Sequence, residues 1–238
     1  MNRLYFHTSE RMPEIPDETV NLAIAFPPFL HKPRARILRK DQWLHMVEDV
    51  YREVFRVLRR KSVLVSINSD VRDRPKYSKK DRAEGTIWWK HAAIRVIAES
   101  LGFTCLGTKI WARSLKQDLY RPTHSYLVFY GKQRPHLSTR DNCMAPEFAP
   151  DVWLLEGRTR TTLPRGKIFK DGLHPELVRR CIAHFTEPGD LVLSPFAGVG
   201  TVPSVAREMN RAWVGYEIDR SLKTCLADRL GPECIVDD

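Results

Sequence analysis

The stretch Leu191-Val192-Leu193-Ser194-Pro195-Phe196-Ala197-Gly198-Val199-Gly200-Thr201 decides the fold of this chain. An apolar run of strand length passes into a loop with two glycines, and a helical pattern begins at residue 200. This order predicts a buried strand that turns directly into a helix and leaves free backbone N–H groups above the carboxyl edge of a sheet. Open α/β sheets bind ligands at that edge. A Gly-x-Gly turn alone is also compatible with a plain strand-to-helix connection.

The next apolar run, residues 212–218, has acidic residues at its end. A carboxylate at the tip of the strand that follows a glycine loop can accept hydrogen bonds from both hydroxyls of a ribose, and Glu217 occupies this position. The alternative for Glu217 is an acid that stabilises a helix N-terminus. We assign that second role to Asp219, as the expected cap of a final helix.

Strand and helix patterns alternate over most of the chain. Residues 41–58 have a helical apolar stripe with Asp41 as the expected N-cap, and residues 71–82 read as a mobile loop. Residues 133–171 form an irregular insert in which Val152–Leu155 is the clearest element. We therefore predict one α/β domain over residues 1–238, with a mostly parallel doubly wound sheet and helices on both faces. The other predicted strands are 20–26, 62–67, 104–111, 125–130 and 190–193, and the other predicted helices are 87–101, 174–185, 200–209 and 220–230.

Composition limits the classes of protein to consider. The 238 residues are 42% hydrophobic and 29% charged, as is typical of a globular domain. No apolar run approaches the roughly 20 residues that span a bilayer, and the N-terminus lacks the apolar core of a signal peptide, so we expect a cytoplasmic protein without a membrane partner. The five cysteines are scattered without a CxxC pair, so we expect neither disulfides nor a metal site. The net charge of +10 favours a polyanionic partner.

Three motifs resemble those of amino-methyltransferases that act on DNA. Residues 194–201 are similar to the family's Asp-Pro-Phe-x-Gly-x-Gly-Thr loop, with Ser194 in place of the usual aspartate, and residues 215–217 are similar to its ribose-binding segment. Residues 173–177 resemble the helix that precedes the loop. The resemblance implies the Rossmann-like fold of S-adenosylmethionine-dependent methyltransferases, with S-adenosyl-L-methionine as the cofactor. The implied cofactor-binding residues are His174, Pro175, Ser194, Pro195, Phe196, Ala197, Gly198, Gly200, Thr201 and Glu217.

A fourth motif, near the N-terminus, supplies the implied catalytic residues. Phe26-Pro27-Pro28-Phe29 is similar to the family's Ser/Asp/Asn-Pro-Pro-Tyr/Phe motif, and its place before the cofactor loop matches the permuted β class. The implied acceptor is N4 of cytosine or N6 of adenine, in a base extruded from duplex DNA. This amine is a poor nucleophile because its lone pair is delocalised into the ring. An acceptor side chain and the carbonyl between the prolines can hold its N–H bonds, while Phe29 fits the role of stacking on the base.

Phe26 departs from this pattern because phenylalanine has no hydrogen-bond acceptor. Three interpretations stay open: catalysis through the Pro27 carbonyl and a nearby polar group, a pocket reshaped for another acceptor, or a cofactor-binding or nucleic-acid-binding relative without turnover. An RNA or protein methyltransferase is a further alternative. Asn68 and Asp70 follow the second strand and are candidates for the missing polarity, although the turn-residue interpretation is favoured for both.

Basic residues follow the first two predicted strands, beside the expected cofactor, where cations can pair with phosphates. We expect duplex DNA as the partner, with RNA as the second candidate, and we expect Trp88 and Trp89 to pack in the core. The insert lies where the permuted family has its target-recognition region. Because it is short, we expect limited base readout or the help of a second subunit in a homodimer. The candidate nucleic-acid-binding residues are Lys32, Arg34, Arg36, Arg72, Arg74, Lys76, Lys79, Lys80, Arg82, Arg158 and Arg160.

Overall fold

The computed structural model describes residues 2–28, 39–73, 86–113, 123–133, 148–156, 159–162 and 168–237. The strands are β1 (Asn2–Tyr5), β2 (Val20–Ala25), β3 (Leu58–Asn68), β4 (Val71–Asp73), β5 (Thr86–Trp88), β6 (Phe103–Ala112), β7 (His124–Lys132), β8 (Val152–Leu154), β9 (Thr159–Thr162), β10 (Ile168–Gly172), β11 (Leu191–Ser194), β12 (Ala212–Tyr216) and β13 (Ile235–Val236). The α-helices are α1 (Lys40–Val57), α2 (Lys90–Ser100), α3 (Pro175–Phe185), α4 (Thr201–Glu208) and α5 (Lys223–Leu230).

Within the described residues, nine strands form one sheet in the order β13-β1-β12-β11-β2-β3-β7-β6-β8. Strand β7 runs antiparallel to both of its neighbours, β3 and β6, whereas the other neighbouring pairs are parallel. The prediction of a mostly parallel sheet is therefore confirmed.

Alternating side chains cover the two faces of this sheet with helices. On one face, which we call the α4 face, Leu22, Ile24 and Val192 pack with residues of α3, α4 and α5. On the other, the α1 face, Ala23 and Ala25 pack with residues of α1 and α2. Helices on both faces confirm the doubly wound arrangement. None of the described helices is long and apolar enough to cross a membrane.

Strands β2 and β11 determine where the two principal motifs lie. They are parallel neighbours, with Val192 beside Leu22 and Leu193 beside Ala23. Because parallel strands end at the same edge of a sheet, residues 26–28 and 195–200 both emerge at the carboxyl edge from adjacent strands.

Two strands at the far end of the sheet were not predicted. Strand β1 lies between β12 and β13 and pairs with both in parallel. Four residues in β1 and two in β13 are too few for a periodic pattern to stand out.

The two irregular segments contain more structure than the sequence indicated. Val71–Asp73 pairs with Thr86–Trp88, so residues 71–73 of the predicted loop form a strand instead. Helix α2 begins at Lys90, three residues later than predicted. In the insert, β8 confirms the predicted element, and β9 pairs with β10 as a further hairpin. Residues 74–82 lie outside the described part of the chain.

The expected N-cap of α1 was wrong by two positions. The helix begins at Lys40, so Arg39 is the N-cap and Asp41 lies in the first turn. The backbone N–H of Arg39 donates to Gln42 Oε1 at 3.0 Å. The Gln42 side chain, inside the first turn, thus satisfies the backbone N–H of the N-cap residue, and Asp41 is not needed as a cap.

Candidate active site

The glycine loop is built by two left-handed residues between β11 and α4. Gly198 has φ +56° and Gly200 has φ +77°, conformations that side chains with a Cβ rarely adopt. A Cβ on Gly200 would lie 2.9 Å from Leu226 Cδ2, so α5 also restricts this position to glycine. The Gly200 N–H donates to the Ala197 carbonyl at 2.9 Å, which closes the turn. The shape of the loop is therefore set by contacts within the chain itself.

Glu217 joins this loop to the end of β12. Its Oε2 accepts from the Gly198 N–H at 2.7 Å, and its Oε1 accepts from the Asp219 N–H at 2.8 Å. Burial raises the pKa of this half-buried carboxyl to about 7, against the opposing effect of the backbone N–H groups. The predicted ribose acid thus lies against the glycine loop. Asp219 accepts from the Ser221 N–H and so caps the 3₁₀ turn Arg220–Leu222, one turn before the final helix that it was expected to cap.

Ser194, at the end of β11, is almost fully buried, and its Oγ has no hydrogen-bond partner among the described residues. A buried polar atom without a partner is costly, and a ligand that supplies the missing bond is one way to recover that cost. By strand alternation, Ser194 lies on the α4 face with Val192. This is the face against which α3 and α4 pack.

His174 is the N-cap of α3, on the same α4 face. Its Nδ1 accepts from the Glu176 N–H at 3.2 Å, and Pro175 follows at the first helical position. Partial burial, assisted by Arg179 and Arg180, holds the pKa of the imidazole below its usual range, which favours the neutral ring needed for this bond. The predicted helix start is therefore well defined.

Ser9 is a loop contact that the sequence did not indicate. It lies between β1 and β2, and its hydroxyl donates to the Pro195 carbonyl at 2.7 Å. Nearby, the Tyr216 hydroxyl donates to Glu14 Oε2 at 2.9 Å. No motif marks Ser9, so its role emerges only from the position of β1 beside β12.

The proline corner continues β2 beyond its last paired residue. Phe26 is half-buried and packs against the apolar core of the α4 face. Pro27 is buried and Pro28 is exposed, and the Pro28 carbonyl accepts from Trp43 Nε1 at 2.8 Å. Phe29 lies outside the described residues. The contact with Trp43 of α1 fixes the path of the chain as it leaves the sheet.

The turn-residue interpretation was wrong for Asn68, whereas Asp70 does lie in the short connection between β3 and β4. Asn68 is the last residue of β3, and Asp70 is buried with its carboxylate facing His91 Nδ1 at 2.8 and 2.9 Å. The His91 ring stacks on Tyr126, with 4.0 Å between ring centroids. Burial lowers the pKa of the neighbouring Lys90 to about 7, against the attraction of Asp70. Polar side chains thus line the carboxyl end of β3 beside the proline corner.

The two tryptophans expected in the core behave differently. Trp88 packs edge-on against Trp43, with 5.4 Å between ring centroids. Trp89 is 55% exposed, so its assignment to the core was wrong. It stands at the start of α2, where the helix N-terminus emerges from the β4–β5 hairpin.

Most of the candidate nucleic-acid-binding residues lie outside the part of the chain that the structure describes. The backbones of Arg72 and Arg160 lie in β4 and β9. Outside the described residues lie Lys32, Arg34, Arg36, Arg74, Lys76, Lys79, Lys80, Arg82 and Arg158. Segments 29–38 and 74–85 nevertheless follow Pro28 and β4 in the chain. No cluster of potential metal ligands occurs among the residues described.

A family model described as DNA methylase, of the N6/N4 type, matches residues 20–228, and the chain belongs to this family. The class is that of S-adenosylmethionine-dependent DNA methyltransferases, as the motifs implied. The type II methyltransferase M.MjaI from Methanocaldococcus jannaschii is 24% identical over 284 residues, which cover 97% of this chain and 91% of the relative. M.XycI from Xanthomonas campestris pv. cyanopsidis is 54% identical over 56 residues, a match that covers 24% of this chain and 19% of the relative.

Solved structures share the fold over nearly the whole chain. TTHA0409 from Thermus thermophilus, in complex with S-adenosyl-L-methionine, has a TM-score of 0.71 and 24% identity, and the match covers 100% of both chains. The cytosine-N4-specific PvuII DNA methyltransferase has a TM-score of 0.69 and 16% identity, with 93% of this chain and 84% of the other covered. These similarities confirm the Rossmann-like methyltransferase fold.

Proposed function

We propose that this chain is a site-specific DNA methyltransferase that methylates N4 of cytosine or N6 of adenine in a base flipped out of the duplex. One observation carries the proposal. The parallel neighbours β2 and β11 bring Pro27 and the glycine loop to the same edge of the sheet. A methyl donor above the loop and an amine at the proline corner would then be adjacent, as in-line transfer requires.

The residues around the glycine loop fit S-adenosyl-L-methionine. The Ser194 hydroxyl is buried without a described partner, and a Cβ on Gly198 would meet nothing within 4 Å, so the loop has space above it. We assign the ribose to Glu217 and the methionyl end to His174 and Pro175. The bound cofactor supplies a methyl group made electrophilic by a sulfonium. Pro195, Phe196, Ala197, Gly200 and Thr201 shape the loop that holds it.

At the proline corner, the chain's own groups orient the target amine. We assign the Pro27 carbonyl to accept one N–H of the amine and Phe29 to stack on the base. Stacking of a base on an aromatic ring contributes about 1–3 kcal/mol, which offsets part of the cost of unstacking it from the duplex. The hydrogen bond from Trp43 to the Pro28 carbonyl holds the corner in place for this role.

We assign DNA binding to the basic segments that follow Pro28 and β4 in the chain and to the insert. The net charge of +10 and the cations of residues 32–36 and 72–82 favour phosphate contacts, and Arg158 and Arg160 are the candidates in the target-recognition insert. The whole of residues 1–238 would act as one domain, with a second subunit of a homodimer extending the base readout. We place the protein in the cytoplasm of a bacterium or archaeon, or in a phage-infected cell.

The experiment that tests the proposal measures transfer of tritium from labelled S-adenosyl-L-methionine to unmethylated duplex DNA, followed by digestion and identification of the modified nucleoside. We expect label in N4-methylcytosine or N6-methyladenine at a recurring sequence. Tight cofactor binding without transfer to any DNA would contradict the proposal. Competition between duplex DNA and RNA as methyl acceptors distinguishes a DNA methyltransferase from the RNA methyltransferase alternative.

A second candidate function is a nucleic-acid-binding relative without turnover. The packing of Phe26 in the apolar core of the α4 face favours it, because this side chain offers no acceptor to an amine. Calorimetry separates the two candidates. The second candidate predicts tight DNA binding in the absence of methyl transfer, with cofactor binding weak or missing.

A further inference from the structure

The proposed chemistry needs an acceptor side chain at the proline corner, and Phe26 does not provide one. The carboxyl end of β3 lies next to this corner. Strands β2 and β3 are parallel, with Ala25 beside Ser66. Two residues further along each strand, this register brings Asn68 level with Pro27.

Asn68 and Pro27 also share a face of the sheet. Ala23 and Ala25 of β2 and Leu64 of β3 all belong to the core of the α1 face. Side chains alternate along a strand, so Pro27 and Asn68 lie on this face too. Asn68 is 1% exposed, so a hydrogen bond made there would be shielded from water.

The carboxamide of Asn68 is anchored at one end only. Its Nδ2 donates to Ser66 Oγ at 2.7 Å, and Ser66 Oγ lies 2.5 Å from the hydroxyl of the buried Tyr51. The other end, Oδ1, is buried and has no hydrogen-bond partner among the described residues. The serine and the tyrosine therefore fix the amide while leaving an acceptor without a bond, an arrangement that is costly unless a ligand completes it.

The other polar groups near the corner are less suited to this role. The Asp70 carboxylate is engaged with the His91 ring through both of its oxygens. Ser194 is the last residue of β11 and lies on the α4 face, opposite the face that Pro27 and Asn68 share. Among these described residues, Asn68 is the one that is buried, held in orientation by Ser66 and level with Pro27.

Building on the proposed function, we propose that Asn68 Oδ1 accepts a hydrogen bond from the exocyclic amine of the target base and replaces the acceptor missing at Phe26. In the transfer, a bond forms between the amine nitrogen and the methyl carbon, and the carbon–sulfur bond breaks with its electron pair left on sulfur. The surplus amine proton passes to solvent water. Asn68 takes no proton; it holds an N–H bond so that the nitrogen lone pair turns toward the methyl group.

The test compares Asn68→Leu and Asn68→Asp with the control Asn21→Leu. Asn21 lies at the other end of β2, where its Oδ1 accepts from the Leu191 N–H, so its substitution reports a general loss of stability. With tritiated S-adenosyl-L-methionine and unmethylated plasmid DNA, we expect Asn68→Leu to lower kcat by roughly 100-fold, as for the loss of one group from a preorganised site. Cofactor KM should not change. Asn68→Asp, which keeps an acceptor at this end, should retain most of kcat.

An unchanged kcat in Asn68→Leu would overturn the inference. An Asn68→Asp variant as impaired as Asn68→Leu would also overturn it, because an acceptor kept at this position would then not support the transfer.

A binding measurement keeps this test separate from the proposed function. Saturation-transfer NMR compares deoxyadenosine with purine deoxyriboside, and deoxycytidine with the pyrimidin-2-one deoxyriboside, which lack the amine. The wild-type protein should prefer an amine-bearing nucleoside, and Asn68→Leu should lose that preference even if no DNA is methylated. Equal binding of both members of each pair by the wild type would overturn the inference.

Discussion

Glu217 shows how one side chain connects the glycine loop to the sheet. Its two oxygens accept from the backbone N–H groups of Gly198 and Asp219, so the carboxylate fixes the loop as well as offering its remaining lone pairs to a ligand. Both tasks require an acceptor at the tip of β12, which is the position that the sequence indicated.

We expect Glu217→Ala to weaken S-adenosyl-L-methionine binding by roughly 10- to 100-fold, because a hydrogen bond to a charged group contributes about 1.5–3 kcal/mol. Isothermal titration calorimetry measures this directly. Glu48→Ala is the matched control, since Glu48 pairs with Arg52 on the surface of α1. Unchanged affinity in Glu217→Ala would remove the ribose assignment.

The raised pKa of Glu217 predicts a pH dependence of cofactor binding. With a pKa of about 7, the carboxyl is largely protonated at lower pH and ionised, hence a better acceptor, at higher pH. Cofactor affinity should rise between about pH 6 and pH 8 and then level off, whereas Glu217→Gln should remove the rise. The ligand-free protein should show the opposite trend: since the folded-state pKa is raised, this group lowers the free energy of unfolding as pH increases from 4.5 to about 7.

The glycines of the loop are expected to differ in their tolerance of a Cβ. Gly200→Ala combines a left-handed backbone, which costs about 1–2 kcal/mol, with a contact of 2.9 Å to Leu226. Gly198→Ala carries the backbone cost alone, since a Cβ there meets nothing within 4 Å. Urea unfolding of the ligand-free proteins should show the larger destabilisation at Gly200. Equal losses would contradict the packing of α5 against the loop.

At the scale of elements, β1 supports the cofactor strand β12 from its outer side. Leu4 is fully buried, and Leu4 Cδ1 would lie only 2.9 Å from a Cβ placed on Gly215 of β12. The Tyr5 carbonyl accepts from the Glu217 N–H at 3.0 Å. A strand of four residues thus positions the end of β12.

Leu4→Ala is therefore expected to lower the free energy of unfolding by about 2–5 kcal/mol, as for other buried leucines, and to weaken cofactor binding as well. Chemical denaturation and calorimetry measure the two effects. Val96→Ala, at a position of α2 that is 68% exposed, serves as the control. A stability loss without any effect on the cofactor would mean that β12 keeps its position without β1.

The sequence predicted the elements that carry strong patterns and missed those that depend on partners. Strands β2, β11 and β12 and the glycine loop were predicted because apolar runs end in glycine, proline or acidic residues. Strands β1 and β13 were missed because their few residues are ordered by pairing with each other and with β12. The contacts of Ser9 and Trp43 join segments distant in sequence, and no local pattern encodes them.

For the whole molecule, the order of motifs along the chain and their order in space differ. The proline corner comes near the N-terminus and the glycine loop near the C-terminus, yet β2 and β11 are neighbours at the centre of the sheet. The pairing of these two strands joins the two halves of the candidate site. Many basic residues lie in the segments of the sequence that follow β2 and β3. A cofactor at this position would contact both halves.

The most direct test of this juxtaposition is a titration of the ¹⁵N-labelled protein with S-adenosylhomocysteine, followed by amide NMR. We expect shifts at Phe26 as well as at Gly198, Gly200 and Glu217, whereas the amides of the opposite sheet edge, such as Asn21, should not shift. Shifts confined to the glycine loop, without Phe26, or shifts centred on the opposite edge would contradict it.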